Sequence, residues 1–333
     1  MRPPLEGEPR SAPEFARKAC HFIGNGDVRL WRGVPSLIPM PVQNWTDWQS
    51  LPLTLTTSVL AELLDGGQSF RWRSEGDSEW LGTWSDCAVK LALTGDGALY
   101  WSAPIAVAGR MQRELAAYFG LNGSLAKQVD TLPWRSDAHL AKCLETFPGL
   151  RILRQPFGET LLCFLCSATK QIVQIKQMTA LLADRHGREI VPGFKSLPTW
   201  PELATVSEIA LRGCLLGFRA RHIHQTAVFL AGNPGWLAET EALSYAEAKE
   251  RLCLLPGVGE KIADCTLLFG AGKLEAFPVD VWILRTMERR YGLTGWKPAQ
   301  VAQFGRAHFG PLAGLAQQYL FAYERRAAKP PVI

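Results

Sequence analysis

The stretch SYAEAKERLCLLPGVGEKIADCTLLFG, residues 244–270, holds the residue types and spacings best suited to chemistry. Lys261 falls in the first turn of a helix that follows Pro256-Gly257-Val258-Gly259. A neutral lysine amine is a nucleophile toward an electrophilic carbon such as a sugar C1′, and its attack leads to a Schiff base. That role requires a lowered pKa, from desolvation or from nearby positive charge. A lysine in the same place can instead simply pair with a phosphate. Cys265, four residues on, shares the helical face of Lys261 and sets a polarizable side chain beside the amine. Further downstream, Pro278-Val279-Asp280-Val281-Trp282 supplies a carboxylate. Asp280 is placed to cap a helix running to residue 291, which alone accounts for an aspartate there. Close to Lys261, it can also stabilise positive charge developing on a sugar as a leaving group departs.

The elements that must position these groups are legible around them. Ser244 and Glu247 form a capping box that starts a helix ending near Leu254. With the helix from Gly259 to Gly270 it makes a helix-hairpin-helix, in which Gly257, Val258 and Gly259 bare backbone N–H groups at a helix N-terminus. Such a turn binds phosphate without reading base identity. The alternative is an ordinary helical hairpin, since glycine-rich turns between helices are common. A second segment, RGCLLGFRARHIH at residues 212–224, sits in a stretch without acidic residues from 209 to 238. An exposed aromatic in basic surroundings, here Phe218 beside Arg219, suits a wedge into a duplex; packing of Phe218 in the core is the alternative.

Residues 50–102 alternate and are rich in aromatics (LTLTTSVL, SFRWRS, EWLGTW, CAVKLALT, ALYWSA), with turns at 65–67, 75–77 and 95–97. They predict a meander of short antiparallel strands whose tryptophans pack in the core. From about residue 108 to 327 apolar residues recur at helical spacing. Continuous helices are predicted over 109–119, 136–146, 157–168, 171–184, 206–216, 219–231, 244–254, 259–269, 280–291, 297–308 and 312–326. The fold class is α+β, a small antiparallel sheet followed by an all-helical body. Residues 1–39, rich in Pro, Gly and Arg and without period, predict a poorly ordered and dispensable extension, with Met40 a candidate start.

The bulk properties exclude little else. Hydrophobic residues make up 47% and charged residues 20%, as in ordinary globular proteins. A formal charge of +5 permits a polyanionic partner without requiring one. No apolar run is long enough to span a membrane, and no secretory pattern opens the chain. The default expectation is cytoplasmic, at the nucleoid in a bacterium and nuclear in a eukaryote. The eight cysteines are scattered, and Cys163 and Cys166 lie in the apolar run LLCFLC, which reads as buried helix rather than a metal or redox pair.

LPGVGEKIADC followed by PVDVW resembles the hairpin, lysine and aspartate signature of DNA glycosylases. The string GGQSFRW at residues 66–72, about 190 residues earlier, resembles 8-oxoguanine DNA glycosylases in particular. The resemblance covers roughly residues 45–327. It implies a glycosylase N-terminal sheet domain over 40–135, a helix-hairpin-helix glycosylase domain over 136–327 and a tail at 328–333. It also implies a bifunctional glycosylase and abasic-site lyase that excises oxidised guanine from double-stranded DNA, as a monomer and with no catalytic cofactor or iron–sulfur cluster. Lys261 matches the imine-forming nucleophile and Asp280 its acidic partner. Gly67 matches a glycine whose carbonyl accepts the N7 proton that 8-oxoguanine carries. Cys265 and Phe321 match the residues that sandwich the flipped base, Pro278 is implied to line its pocket, and Gln317 matches the side chain that reads its Watson–Crick edge. Cys253, Leu255 and Val258 match positions whose backbone carbonyls hold a structural cation.

Two departures from the family pattern concern the base opposite the lesion. Where the family has Ser-Asn-Asn, this chain reads Ala168-Thr169-Lys170, and Gln174 replaces a second arginine. Phe218 stands for a wedge that is usually Tyr, and Arg219 for the arginine on the orphaned base. With Thr169 too short and Gln174 uncharged, a weakened preference for cytosine opposite the lesion is expected. Two rival functions are a monofunctional alkylpurine glycosylase, against which Lys261 speaks, and a non-catalytic hairpin DNA-binding protein, against which Lys261 and Asp280 together speak.

Overall fold

The computed structural model describes residues 44–327, so the extension predicted at 1–39 and the tail at 328–333 lie outside the described residues. The chain opens with β1 (Gln49–Thr54), α1 (Thr57–Asp65), β2 (Trp72–Ser74), β3 (Glu79–Trp84), β4 (Cys87–Leu93) and β5 (Ala98–Ser102). The strands pair antiparallel in the order β1-β5-β4-β3-β2, so β2 to β5 are the predicted meander and β1 closes its far edge. LTLTTSVL is not one strand. The alternation ends at Thr56, whose hydroxyl accepts from the Val59 N–H at 3.2 Å and starts α1, burying Val59, Leu60, Leu63 and Leu64.

The tryptophans are core residues. Trp80 stands opposite Leu91, which stands opposite Trp101. Trp72 lies across its strand partner Gly82, where a Cβ would come within 2.3 Å of the indole, so only glycine fits. The outer face, with Leu81 and Ala88, is covered by a hairpin of β6 (Glu189–Val191) and β7 (Phe194–Lys195) that the helical reading missed.

After the sheet come α2 (Ile105–Tyr118), α3 (Leu125–Thr131), α4 (Ala138–Thr146), α5 (Phe157–Leu165) and α6 (Ile172–His186). Beyond the β6–β7 hairpin lie α7 (Trp200–Thr205), α8 (Glu208–Leu211), α9 (Arg219–Gly232), α10 (Trp236–Ala242) and α11 (Tyr245–Cys253). The last four are α12 (Glu260–Phe269), α13 (Val281–Tyr291), α14 (Pro298–Phe309) and α15 (Ala313–Ala327). The helix expected over 206–216 breaks instead. α8 gives way to a π turn at Arg212–Leu216, in which Leu215 takes φ +62° and Cys214 leaves helical geometry.

The hydrophobic cores do not follow a boundary between residues 135 and 136. One core joins the sheet, α1, α2 and α4 to Phe277 and to Ile283, Val301, Leu315, Ala316 and Tyr319 of the C-terminal helices. The other is built from Phe70 and from residues 157–276, including α5, α6, α9, α11 and α12. The chain thus leaves the first core, builds the second and returns.

Candidate active site

The hairpin is built as its spacing predicts. Ser244 Oγ accepts from the Glu247 N–H and Glu247 Oε2 from the Ser244 N–H, fixing the start of α11. The turn reverses at Gly257, whose φ of +79° and whose position against the His222 ring, 2.7 Å from a would-be Cβ, both demand glycine. Gly259 caps α12 with open space around it. Among the described residues no acceptor takes the N–H of Gly257 or Gly259. The Val258 N–H is different. It donates to the Leu255 carbonyl at 3.1 Å, and Val258 is buried, so this amide is not bared to phosphate as expected. Of the three carbonyls matched to a cation, that of Leu255 is thus shared with the turn, while those of Cys253 and Val258 are not spent on hydrogen bonds among the described residues.

Lys261 reaches from α12 toward α5. Its Nζ donates to Ser167 Oγ at 3.1 Å, and Ser167 in turn donates to the Phe164 carbonyl at 2.7 Å. The ammonium also lies 5.2 Å from the centre of the Phe164 ring. Neither Ser167 nor Phe164 is signalled in the sequence, because both reach the lysine only through the packing of α5 on α12. Asp280 caps α13, Oδ1 accepting from the Ile283 N–H at 2.9 Å. Burial pushes its carboxyl above the usual carboxylate range, against the opposing pull of that N–H and of Lys261. Burial likewise pushes the Cys265 thiol up to about 12, so Cys265 is a neutral, polarizable wall.

Lys261 and Asp280 face one cavity of about 560 Å³, its open mouth included. Gly67, Cys265, Pro278, Gln317 and Phe321 line the same cavity, so all seven of these residues meet although they come from four stretches of chain. Phe164, Ser167, Lys170 and Gln318 complete much of the wall. Gly67 has φ +99°, and a Cβ there would lie 3.1 Å from Ile172 and 3.8 Å from Phe321. Its neighbour Gln68 bolts the loop in place. Gln68 Nε2 donates to the Arg151 carbonyl at 2.9 Å, Oε1 accepts from the Leu153 N–H at 2.9 Å, and its carbonyl accepts from Gln155 at 2.7 Å. Gln317 is buried one helical turn before Phe321, and its Oε1 has no protein partner.

Beside the cavity mouth, two loops converge on Arg219. Arg219 is 3% exposed, and its guanidinium donates to the carbonyls of Leu216 and Ala168 and, at 3.0 Å, to Thr169 Oγ1. It stacks 4.3 Å over the Phe218 ring, which is 53% exposed and so no core residue. Thr169 holds φ +55°, an unusual conformation for a β-branched residue. The structure therefore joins Thr169 to Arg219. Gln174 is not joined to them; its Oε1 accepts from the Gln171 N–H at 3.1 Å and caps α6. Cys163 and Cys166 are buried free thiols.

Residues 50–161 match the family described as 8-oxoguanine DNA glycosylase, N-terminal domain. The chain is 33% identical to an N-glycosylase/DNA lyase of Arabidopsis thaliana over 303 residues, covering 85% of this chain and 81% of that protein. It is 29% identical over 272 residues to the N-glycosylase/DNA lyase of Saccharomyces cerevisiae, covering 74% and 72%. Among solved structures, the 8-oxoguanine glycosylase/lyase of Clostridium acetobutylicum, bound to duplex DNA with cytosine opposite 8-oxoguanine, superposes with a TM-score of 0.75. That pair is 30% identical and covers 81% of this chain and 92% of the other.

Proposed function

This chain belongs to the 8-oxoguanine N-glycosylase/DNA lyase family, and from that membership we propose how its own residues divide the work. The enzyme excises 8-oxoguanine from double-stranded DNA and cleaves the strand at the resulting abasic site. The damaged nucleotide must leave the stack, because C1′ and the base edge are inaccessible inside a duplex. Gly257 and Gly259 hold a backbone phosphate, and Phe218 wedges into the gap with Leu215 three residues before it. Arg219, held by Thr169, faces the orphaned base. The flipped base lies between Cys265 and Phe321, with Gln317 on its Watson–Crick edge, the Gly67 carbonyl at N7 and Pro278 at its side.

Lys261 then attacks C1′. The C1′–N bond to the lysine forms, the bond from C1′ to the base breaks, and the base departs with a proton on its nitrogen. Opening of the sugar ring gives the imine, and loss of a C2′ proton expels the 3′ phosphate by β-elimination. Asp280 stabilises the positive charge on the sugar as the base leaves. Ser167 orients the amine by accepting a hydrogen bond from it. No catalytic cofactor takes part. The carbonyls of Cys253, Leu255 and Val258 are the cradle for a structural cation that would stiffen the turn. The protein acts as a monomer on DNA, at the nucleoid or in the nucleus, and no described helix is long and apolar enough to cross a membrane.

One observation carries this reading. Lys261 and Asp280 open onto the single cavity that also contains Gly67, Cys265, Gln317 and Phe321. Borohydride reduction during turnover of an 8-oxoguanine duplex tests it. Wild type should be trapped as a covalent adduct, and Lys261→Gln should lose both trapping and base release while still binding DNA. Undiminished trapping in the variant would remove Lys261 from the role.

A further inference from the structure

The cavity contains a second carboxamide. Gln318 lines it together with Lys261, Cys265 and Gln317. It is 2% exposed, and its Nε2 has no protein hydrogen-bond partner. Buried donors in native proteins are nearly always paired, so an orphan in a concave site points to a ligand that completes it. Among the described residues, Gln317 and Gln318 are the two cavity-lining side chains with a buried, unpartnered polar atom. The two orphans are complementary, an acceptor on Gln317 and a donor on Gln318.

Their helix is held rigidly. Tyr319 Oη donates to the Leu150 carbonyl at 2.7 Å, and Leu315, Ala316 and Leu320 are buried around the pair. The helix that carries the two amides is therefore set before any base arrives. An oxidised guanine offers N–H donors to the first amide and carbonyl oxygens, O6 and O8, to the second. Adenine has the reverse polarity at its Watson–Crick edge, with a ring-nitrogen acceptor beside an amine donor.

We propose that Gln318 Nε2 donates a hydrogen bond to a carbonyl oxygen of the flipped base, making Gln318 a specificity-determining residue beside Gln317. This rests on the cavity being the base pocket. A site that spends a buried donor on one base carbonyl rejects a base presenting an amine there, because the two donors are left unpaired against each other.

The test is single-turnover kinetics with Gln318→Leu, which keeps the volume and removes the donor, and with Gln318→Met as a second apolar variant. Substrates are duplexes with 8-oxoguanine, 8-oxoadenine or a preformed abasic site opposite cytosine. Losing one hydrogen bond should slow release of 8-oxoguanine about tenfold. Cleavage and borohydride trapping at the abasic site, which has no base to read, should stay within about twofold of wild type. If the acceptor is O6, 8-oxoadenine shows no loss, since an amine occupies that place; if it is O8, both bases lose equally. Unchanged release of 8-oxoguanine by both variants would overturn the proposal. So would a parallel loss at the abasic site, which would make Gln318 structural. Absence of wild-type trapping would instead overturn the Lys261 reading, a separate outcome.

Discussion

Asp280 has two duties that can be separated by chemistry. As a cap it needs only an oxygen to accept the Ile283 N–H, and asparagine serves there as well as aspartate. As a partner to the developing cation it needs a negative charge, which asparagine lacks. Asp280→Asn should therefore melt near the wild-type temperature yet release 8-oxoguanine more slowly by a factor on the order of 10² to 10³. Its pKa gives a second signature. The carboxyl is raised by burial, so its ionisation, and with it base release, should be lost as pH falls through a value above the usual carboxylate range. A raised acid pKa means that folding favours the protonated form. The stability it contributes is present at low pH and lost as pH rises, opposite in sign to the effect on rate. Single-turnover rates against pH should show this acid limb in wild type and not in Asp280→Asn. A limb that survives in the variant would assign it to another group.

At the scale of elements, the turn between α8 and α9 is where strain and exposure coincide. Leu215 sits at φ +62° and is 59% exposed, so it occupies a disfavoured backbone region without burying its side chain in return. The left-handed conformation costs a residue with a Cβ roughly 1–2 kcal/mol, and the greater flexibility of unfolded glycine returns about 0.5–1 kcal/mol of that. Leu215→Gly should leave the protein as stable or more stable, by about 0.5–1 kcal/mol. If the leucine extends the wedge of Phe218, the same variant should bind a lesion duplex less tightly and cleave it more slowly. Urea denaturation and single-turnover cleavage would check the pair of effects. A destabilised variant with unchanged cleavage would mean that Leu215 serves the fold. The sequence could not show this turn, because the apolar spacing of 206–216 is helical and gives no sign of the left-handed Leu215. Lys261 and Cys265, by contrast, were legible because their relation lies within a single helix turn. Ser167 and Gln318 were not. One meets Lys261 across 94 residues of chain, and the other is one of several consecutive buried residues on α15 whose direction only packing decides. The strand reading of LTLTTSVL failed for a local reason, since its alternation runs straight into a threonine that caps a helix.

The whole molecule is held by a return of the chain that its order of elements conceals. Read along the sequence, a sheet domain is followed by a helical body, and residues 136–327 look self-sufficient. In space, Tyr319, Leu315, Phe277 and Val301 share a core with Trp72, Leu91 and Trp101 of the sheet. Arg325 pairs with Glu62 at the same junction, and Gln68 ties the loop after α1 to residues 151–155. The cavity lies along this seam. Gly67 comes from the sheet side, Gln317 and Phe321 from the returning helix, and Lys261 and Cys265 from α12, which packs in the second core. A fragment of residues 136–327 would expose the apolar faces of α13 to α15 to water and lose Gly67 from the pocket. It should therefore lack a cooperative urea transition and a native near-ultraviolet dichroism signal, while keeping helical far-ultraviolet dichroism. It should show no borohydride trapping, despite containing Lys261 and Asp280. A sharp transition with a native aromatic signal in that fragment would show that the helices form a core of their own, and that the sheet contributes only Gly67 to the site.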